Sequence, residues 1–220
     1  MIRLQGVRFA FPGGFALEIP ALDVAAGERL AISGPSGSGK TTLLNLIAGI
    51  LRPEAGSVAI DGADLARLSP AALRDFRIRR LGFVFQHFAL VDYLSVRDNI
   101  LHPARLNPAL ALTPALRARA AGLADGLGIA RHLDRHPGQL SHGEQQRVAI
   151  ARSLIAAPAL VLADEPTGNL DPANKTQILD LLFAEAKAAG ATLIAVTHDV
   201  ALLPRFDRVL DFADLARRAA

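Results

Sequence analysis

Apolar and polar positions alternate in "IRLQGVRFAF" from Ile2 and "FALEI" from Phe15, and again in "SVAI" from Ser57. Side chains two apart share one face of a strand, so this alternation predicts half-buried strands, and their close spacing predicts an antiparallel β-subdomain. Three further runs, residues 29–33 ("RLAIS"), 160–164 ("LVLAD") and 192–198 ("TLIAVTH"), are almost uninterrupted in apolar character. They read as central parallel strands covered on both faces. "LGFVFQ" from Leu81 and "RVLDF" from Arg208 add two more strand-like runs. Helical patterns lie between several of these, which gives a three-layer α/β core. Between about residues 88 and 138 the pattern changes to short helical pieces, "DYLSVRDNILHPA" and "TPALRARAAGLADGLGI", separated by Pro103, Pro108 and Pro114. This segment reads as a small helical insertion within one domain spanning 1–220.

The run "RLAIS" leads directly into "GPSGSGKTT", residues 34 to 42. Its spacing is G-x-x-x-x-G-K-[ST], the loop that wraps a nucleotide's phosphates. Successive backbone N–H groups point inward only where residues tolerate unusual φ/ψ, and Gly34, Gly37 and Gly39 supply that freedom beside Ser36 and Ser38. The helix predicted from "TTLLNLIAGIL" presents its positive end to the loop. Lys40 then reaches the β- and γ-phosphates, and Thr41, followed by Thr42, offers a hydroxyl to Mg²⁺. A bare Gly/Ser turn ahead of a helix is the alternative. With the loop in place, the fold expected is α/β, a P-loop NTPase core of mainly parallel strands with an N-terminal antiparallel β-subdomain and a small helical insertion.

A second element of such a site is a strand ending in a carboxylate. "ALVLADE" supplies it, with Asp164 as a candidate Mg²⁺ ligand and Glu165 placed to orient a water for in-line attack. Pro166 stops the strand there. In "LSHGEQQRVAIARSL", Ser141 and Glu144 form a capping box, so a helix is expected to start at this point and to bury Val148, Ile150, Ala151 and Leu154. Gly143, a poor helix residue, sits in its first turn. Ser141 and Gly143 at a helix N-terminus also suit the close approach of a phosphate.

Composition narrows the field. The chain is 51% hydrophobic and 20% charged, with 24 basic and 21 acidic residues and a net charge of +3. That balance permits nucleic-acid binding without indicating it. Cysteine is absent, which excludes disulfides and thiolate metal sites and fits a reducing compartment. "MIRLQGVRF" lacks the pattern of a secretory signal. The longest apolar tract, Ser153 to Ala163, contains Pro158 and falls short of the ~20 residues of a membrane span. A cytoplasmic protein that touches a membrane only through a partner is expected.

The ordered set of motifs resembles the ATPase subunit of ABC transporters, over about residues 2 to 211. "GPSGSGKTT" resembles Walker A, Gln86 in "FVFQ" the Q-loop, "LSHGEQQ" the signature, "LVLADEP" Walker B, "GNLD" with Asp171 the D-loop, and "VTHD" with His198 the switch histidine. The resemblance implies ATP and Mg²⁺ as cofactors and hydrolysis of ATP with Glu165, His198 and Gln86 as catalytic residues. Gln86 also serves the metal with Thr41 and Asp164, since its amide accepts from a metal-bound water and donates elsewhere. His198 then bonds the γ-phosphate or the attacking water, although a lone strand-end histidine also serves as a cap. Asp171 before "PANKTQILDLLF" reads as an N-cap ahead of Pro172, with an interface role implied beside it. Phe11 occupies the place of an aromatic that stacks on adenine. Val7, Phe9 and Phe11 share one parity, so a buried strand face accounts for all three equally well.

The resemblance further implies a head-to-tail pair, in which the signature of one copy caps ATP held by the Walker motifs of another. The pair drives separate integral membrane permease subunits and sits at the inner face of the cell membrane. "EPTGNLD" resembles the macrolide-exporter, lipoprotein-releasing and cell-division group, and the short stretch after His198 is expected to leave no room for a regulatory domain. A soluble ABC ATPase acting on nucleic acid or ribosomes is the rival reading. It is disfavoured because no sustained heptads separate Lys40 from Ser141. The basic cluster "RDFRIRR", with Arg74, Arg77, Arg79 and Arg80, reads as a solvated face. "NKTQ" lacks the acid of a guanine-reading motif at Gln177.

One residue departs from the family pattern: His142 replaces the first glycine of the signature, while Ser141 and Gly143 remain. We expect His142→Gly to change the ATP hydrolysis rate by less than about tenfold, ~1.4 kcal/mol of barrier. Steady-state phosphate release measures this, and abolished turnover would contradict it.

Overall fold

The computed structural model describes residues 1–12 and 14–216. In chain order the strands are β1 (Ile2–Ala10), β2 (Ala16–Val24), β3 (Arg29–Ser33), β4 (Ala55–Ile60), β5 (Ala63–Asp64), β6 (Leu81–Val84), β7 (Leu160–Asp164), β8 (Thr192–Thr197) and β9 (Arg208–Asp211). The helices are α1 (Lys40–Ile47), α2 (Pro70–Arg80), α3 (Val96–Leu106), α4 (Pro114–Gly126), α5 (His142–Leu154), α6 (Pro172–Ala188) and α7 (Phe212–Leu215). Two units form: Met1–Arg74 together with the segment from Thr192, and Asp75–Ala191.

In the first unit an antiparallel sheet has the order β2-β1-β4-β5. β1 buries Ile2 and Leu4, then Val7 and Phe9. This switch of parity falls at Gly6, whose φ of 55° and the register shift between Gln5 and Arg8 mark a bulge. Gly56 of β4 lies so close that a β-carbon there would collide with the Gly6 carbonyl. β2 runs on beyond the expected "FALEI" and through Pro20. The cause is positional: β2 is an edge strand, and Pro20 lies between the pairs Gln5↔Ala21 and Val7↔Ile19, opposite the bulge, where no ladder N–H is required. β5, two residues long, carried no readable alternation.

The same unit holds β3 between β8 and β9, all parallel. Leu30, Ala31 and Ile32 are buried, as is every residue of β8, as the unbroken apolar runs predicted. Ser33 pairs with Thr197 and with Asp211, so the three strands end level with one another.

In the second unit β6 and β7 pair in parallel, Val84 opposite Ala163, and β7 is buried throughout. α3, α4 and α5 pack together in and beside the segment read as a helical insertion. Pro103 lies inside α3 and does not divide it, because the loss of one intrahelical bond is outweighed by the burial of Val96, Ile100 and Leu101. α2 carries the basic cluster. Arg74, Arg79 and Arg80 are exposed, and Arg79 Nε donates to the Ala109 carbonyl.

α5 buries Val148, Ile150, Ala151 and Leu154, as its spacing predicted. Its last turn presses on β6 at Gly82, where a β-carbon would collide with the Ser153 carbonyl oxygen and lie 3.2 Å from Pro158 Cγ. Backbone cannot yield as a flexible side-chain end does. Gly82→Ala is therefore expected to destabilise the protein by about 1–3 kcal/mol, read as a lowered denaturant midpoint; an unchanged midpoint would contradict this packing.

Candidate functional site

In the first unit the loop read as phosphate-binding leaves β3 after Ser33 and ends at α1. Side-chain oxygens cap α3 (Ser95), α4 (Thr113), α5 (Ser141) and α6 (Asp171), whereas the N-cap of α1 is Gly39, which has no side chain to offer. Gly39 has φ 114°, and a β-carbon there would stand 2.7 Å from Phe15 Cζ and 3.3 Å from Phe212 Cζ. Glycine is thus required by conformation and by packing at once. Lys40 is 6% exposed, and its Nζ donates to the carbonyls of Gly34 and Pro35, each at 2.8 Å. Ser38 Oγ is buried with no hydrogen-bond partner among the described residues. Ser36, Gly37 and Thr41 are exposed, and Gly34 and Thr42 are half-buried.

Two other predicted residues of this unit lie near the loop. His198 follows Thr197, whose register partner is Ser33, so it leaves β8 beside the start of the loop, exposed. Phe11 lies beyond the end of β1 and is 42% exposed, so the buried face that holds Val7 and Phe9 does not include it. Its ring meets Phe9 edge-on at 4.7 Å and Phe15 at 6.1 Å. Phe15 and Phe212, which wall Gly39, were missed by the sequence reading; each looked like one more apolar residue in a strand-like run.

In the second unit Gln86 follows β6, Asp164 ends β7 and Glu165 follows it, at the level of Gln86 by the Val84–Ala163 register. Asp164 is 8% exposed. Glu165 has φ 46°, a left-handed conformation that costs a non-glycine residue about 1–2 kcal/mol. Its carbonyl accepts from Gly168 N–H, and Asn169 Nδ2 donates to the Gln86 carbonyl at 2.7 Å, so this turn gathers Gln86, the two acids and the approach to Asp171. Asp171 accepts from Asn174 N–H as the N-cap of α6. Phe88 and Ala89 after Gln86 are also left-handed, with φ 56° and 51°. Arg152 of α5 clamps both carbonyls through its guanidinium, and burial pushes its pKa down to about 10, which leaves it charged at neutral pH.

α5 opens with the predicted capping box. Glu144 Oε2 accepts from the N–H and the hydroxyl of Ser141, each at 2.9 Å, and Ser141 Oγ accepts from Glu144 N–H at 3.4 Å. Gly143 has ordinary helical backbone, and a β-carbon on it would meet nothing within 4 Å. Neither strain nor packing within the chain calls for glycine there. The His142 ring lies 5.9 Å from that of Phe88.

Residues 17–168 match the family described as ABC transporter. The chain belongs to this family. It is 45% identical to the "Lipoprotein-releasing system ATP-binding protein LolD" of Chromohalobacter salexigens, across 96% of this chain and 90% of that protein. It is 39% identical to the "Macrolide export ATP-binding/permease protein MacB" of Syntrophobacter fumaroxidans, across 97% of this chain and 30% of that longer protein. In structure it resembles the ATP-binding cassette MJ0796 in a dimeric post-hydrolysis state bound to ADP and Pi, with a TM-score of 0.84, 32% identity and coverage of 99% and 98%. The chain is accordingly an ABC ATPase cassette, which binds and hydrolyses ATP, and the α/β fold agrees with that of the family.

The capping box has a pH signature. The Ser141 N–H above all, then its hydroxyl and His132, holds the Glu144 carboxyl below its ordinary value of 4.5. A carboxyl depressed on folding stabilises the protein fully above its unfolded value and loses that contribution as pH falls further. In chemical denaturation across pH, the parent is expected to lose stability relative to Glu144→Gln only below about pH 4.5; a difference that stays constant through that range would contradict the assignment.

Proposed function

We propose that the loop Gly34, Ser36, Gly37, Ser38, Gly39, Lys40, Thr41 and Thr42 receives the phosphates of ATP. The observation that carries this reading is the start of α1. A helix N-terminus without a side-chain cap, a buried lysine and an orphaned serine hydroxyl all converge on one loop. Phe11, exposed beside Phe9 and Phe15, offers a ring face to the adenine.

Thr41, Gln86 and Asp164 supply a hydroxyl, an amide oxygen and a carboxylate, the hard oxygen donors that suit Mg²⁺. When bound with the nucleotide, the ion neutralises charge on the phosphates. Glu165 accepts a proton from the attacking water and orients it, with His198 as a hydrogen-bond partner at the γ-phosphate. The left-handed conformation of Glu165 supports this role, because strain of that kind persists where surrounding structure fixes a functional group.

Ser141, Gly143 and Asp171 face the nucleotide held by a second copy of the chain. Gly143, free of any need inside its own chain, leaves room for a phosphate to approach the α5 amides. The cassette works on separate permease subunits at the inner face of the cell membrane, in the lipoprotein-releasing and macrolide-exporter branch. The match to LolD, which extends over 90% of that ATP-binding protein, supports this.

Replacing Glu165 with Gln keeps the side chain's shape and removes the base. Phosphate release is expected to fall by about 10²–10⁴-fold while binding of a fluorescent ATP analogue persists. Unchanged hydrolysis would remove Glu165 from the mechanism.

A further inference from the structure

Between β6 and α3 the chain runs from Phe85 to Ser95 with no helix or strand, and three side chains of the second unit hold it. Asn169 Nδ2 donates to the Gln86 carbonyl. Arg152 donates from Nη2 to the Phe88 carbonyl at 2.6 Å and from Nη1 to the Ala89 carbonyl at 2.5 Å. Asn99, fully buried, accepts from Val91 N–H and donates to the carbonyls of Val91, Leu94 and Ser95.

Packing contributes little at the start of this loop. Phe85, Gln86, His87 and Ala89 are exposed, and Phe88 alone of these five is buried. Hydrogen bonds therefore set its course. Phe88 at φ 56° and Ala89 at φ 51° both lie in the left-handed region that a β-carbon disfavours. Such residues persist only where surrounding structure fixes them, and the planar fork of Arg152 takes both carbonyls at once. The consequence falls on Gln86, whose own side chain is not held by packing. Its Nε2 lies 4.0 Å from the point where a β-carbon on Gly168 would stand, and Glu165 Cβ lies 3.5 Å from the same point. The Gln86 amide thus sits beside the turn that carries Glu165, and its aim depends on the backbone two and three residues further on.

We propose that Arg152 is a positioning residue for Gln86: by clamping the Phe88 and Ala89 carbonyls it holds the left-handed turn that aims the Gln86 amide at the Mg²⁺ and the attacking water. The inference rests on the reading of Gln86 given above. A cation in the last turn of α5 also suits the negative end of that helix. That role alone would be indifferent to the residue at position 89 and to the presence of Gln86.

The test combines phosphate release at saturating ATP and Mg²⁺ with hydrogen exchange of the nucleotide-free chain. Arg152→Met, which keeps the aliphatic stem, is expected to lower phosphate release about thirtyfold and to speed exchange of the amides of residues 88–91 about tenfold. Glycine takes the φ of 51° at position 89 without strain. Adding Ala89→Gly to Arg152→Met should therefore bring phosphate release to within about fivefold of Ala89→Gly alone. In a Gln86→Ala background, Arg152→Met should cost less than about threefold more. An undiminished rate or unchanged exchange in Arg152→Met, a loss that Ala89→Gly leaves in place, or a larger added loss on top of Gln86→Ala each overturns the proposal. If Arg152→Met melts below the assay temperature, Arg152→Lys takes its place, since a single ammonium cannot reproduce the fork. Its expected fall of about fivefold should vanish in both the Ala89→Gly and the Gln86→Ala backgrounds, and persistence in either is equally fatal. Gln86→Ala alone keeps the two readings apart. If it leaves hydrolysis intact, the reading of Gln86 itself fails; if it impairs hydrolysis and Arg152→Met does not, the positioning role alone is refuted.

Discussion

A lysine that is only 6% exposed needs nearby negative or partly negative charge to balance its ammonium group. In this chain Lys40 meets that need with two loop carbonyls at the mouth of a helix whose own amide ends have no side-chain cap. Much of the first unit serves to keep this arrangement in place. β8 and β9 flank β3 and end level with it, so the loop has a rigid root on both sides. Phe15 and Phe212 then close over Gly39, leaving no room even for a methyl group. The positive end of a helix is a common feature; one built with no cap and with aromatic walls is fixed in shape before any anion arrives.

The second unit holds its strained backbone by a different device. Glu165, Phe88 and Ala89 all have positive φ without being glycine, which at roughly 1–2 kcal/mol each is a considerable cost for one small region. Arg152 offsets part of it by donating to the carbonyls of both Phe88 and Ala89, and the Asn169 amide ties Gln86 to the turn after Glu165. Because Arg152 is a residue of α5, the helix that begins at the signature also supports the turn after Gln86. The His142 ring against Phe88 is a second contact between the same two segments.

Much of this was legible in the sequence, for physical reasons that differ from place to place. Buried strands announce themselves by unbroken apolar runs, and caps such as Ser141 and Asp171 by the residue types that bond backbone N–H groups. The glycine and lysine spacing of residues 34–40 marked the turn between β3 and α1, where Gly39 has φ 114° and Lys40 is buried. What stayed hidden depends on partners distant in the chain. The extension of β2 through Pro20 needs a bulge in another strand to make it possible. Helix α3 tolerates Pro103 because of what it buries. Phe15 and Arg152 acquire their roles only where the fold brings them, and His132 gave no local sign of facing Glu144.

The edges of the antiparallel sheet carry one more consequence. One edge, β5, is two residues long; the other, β2, is interrupted by Pro20 opposite the Gly6 bulge. An exposed, flat strand invites any neighbouring chain to add to it without discrimination. Here one border is too brief and the other lacks an amide hydrogen midway, so recruitment of stray strands finds no template along either.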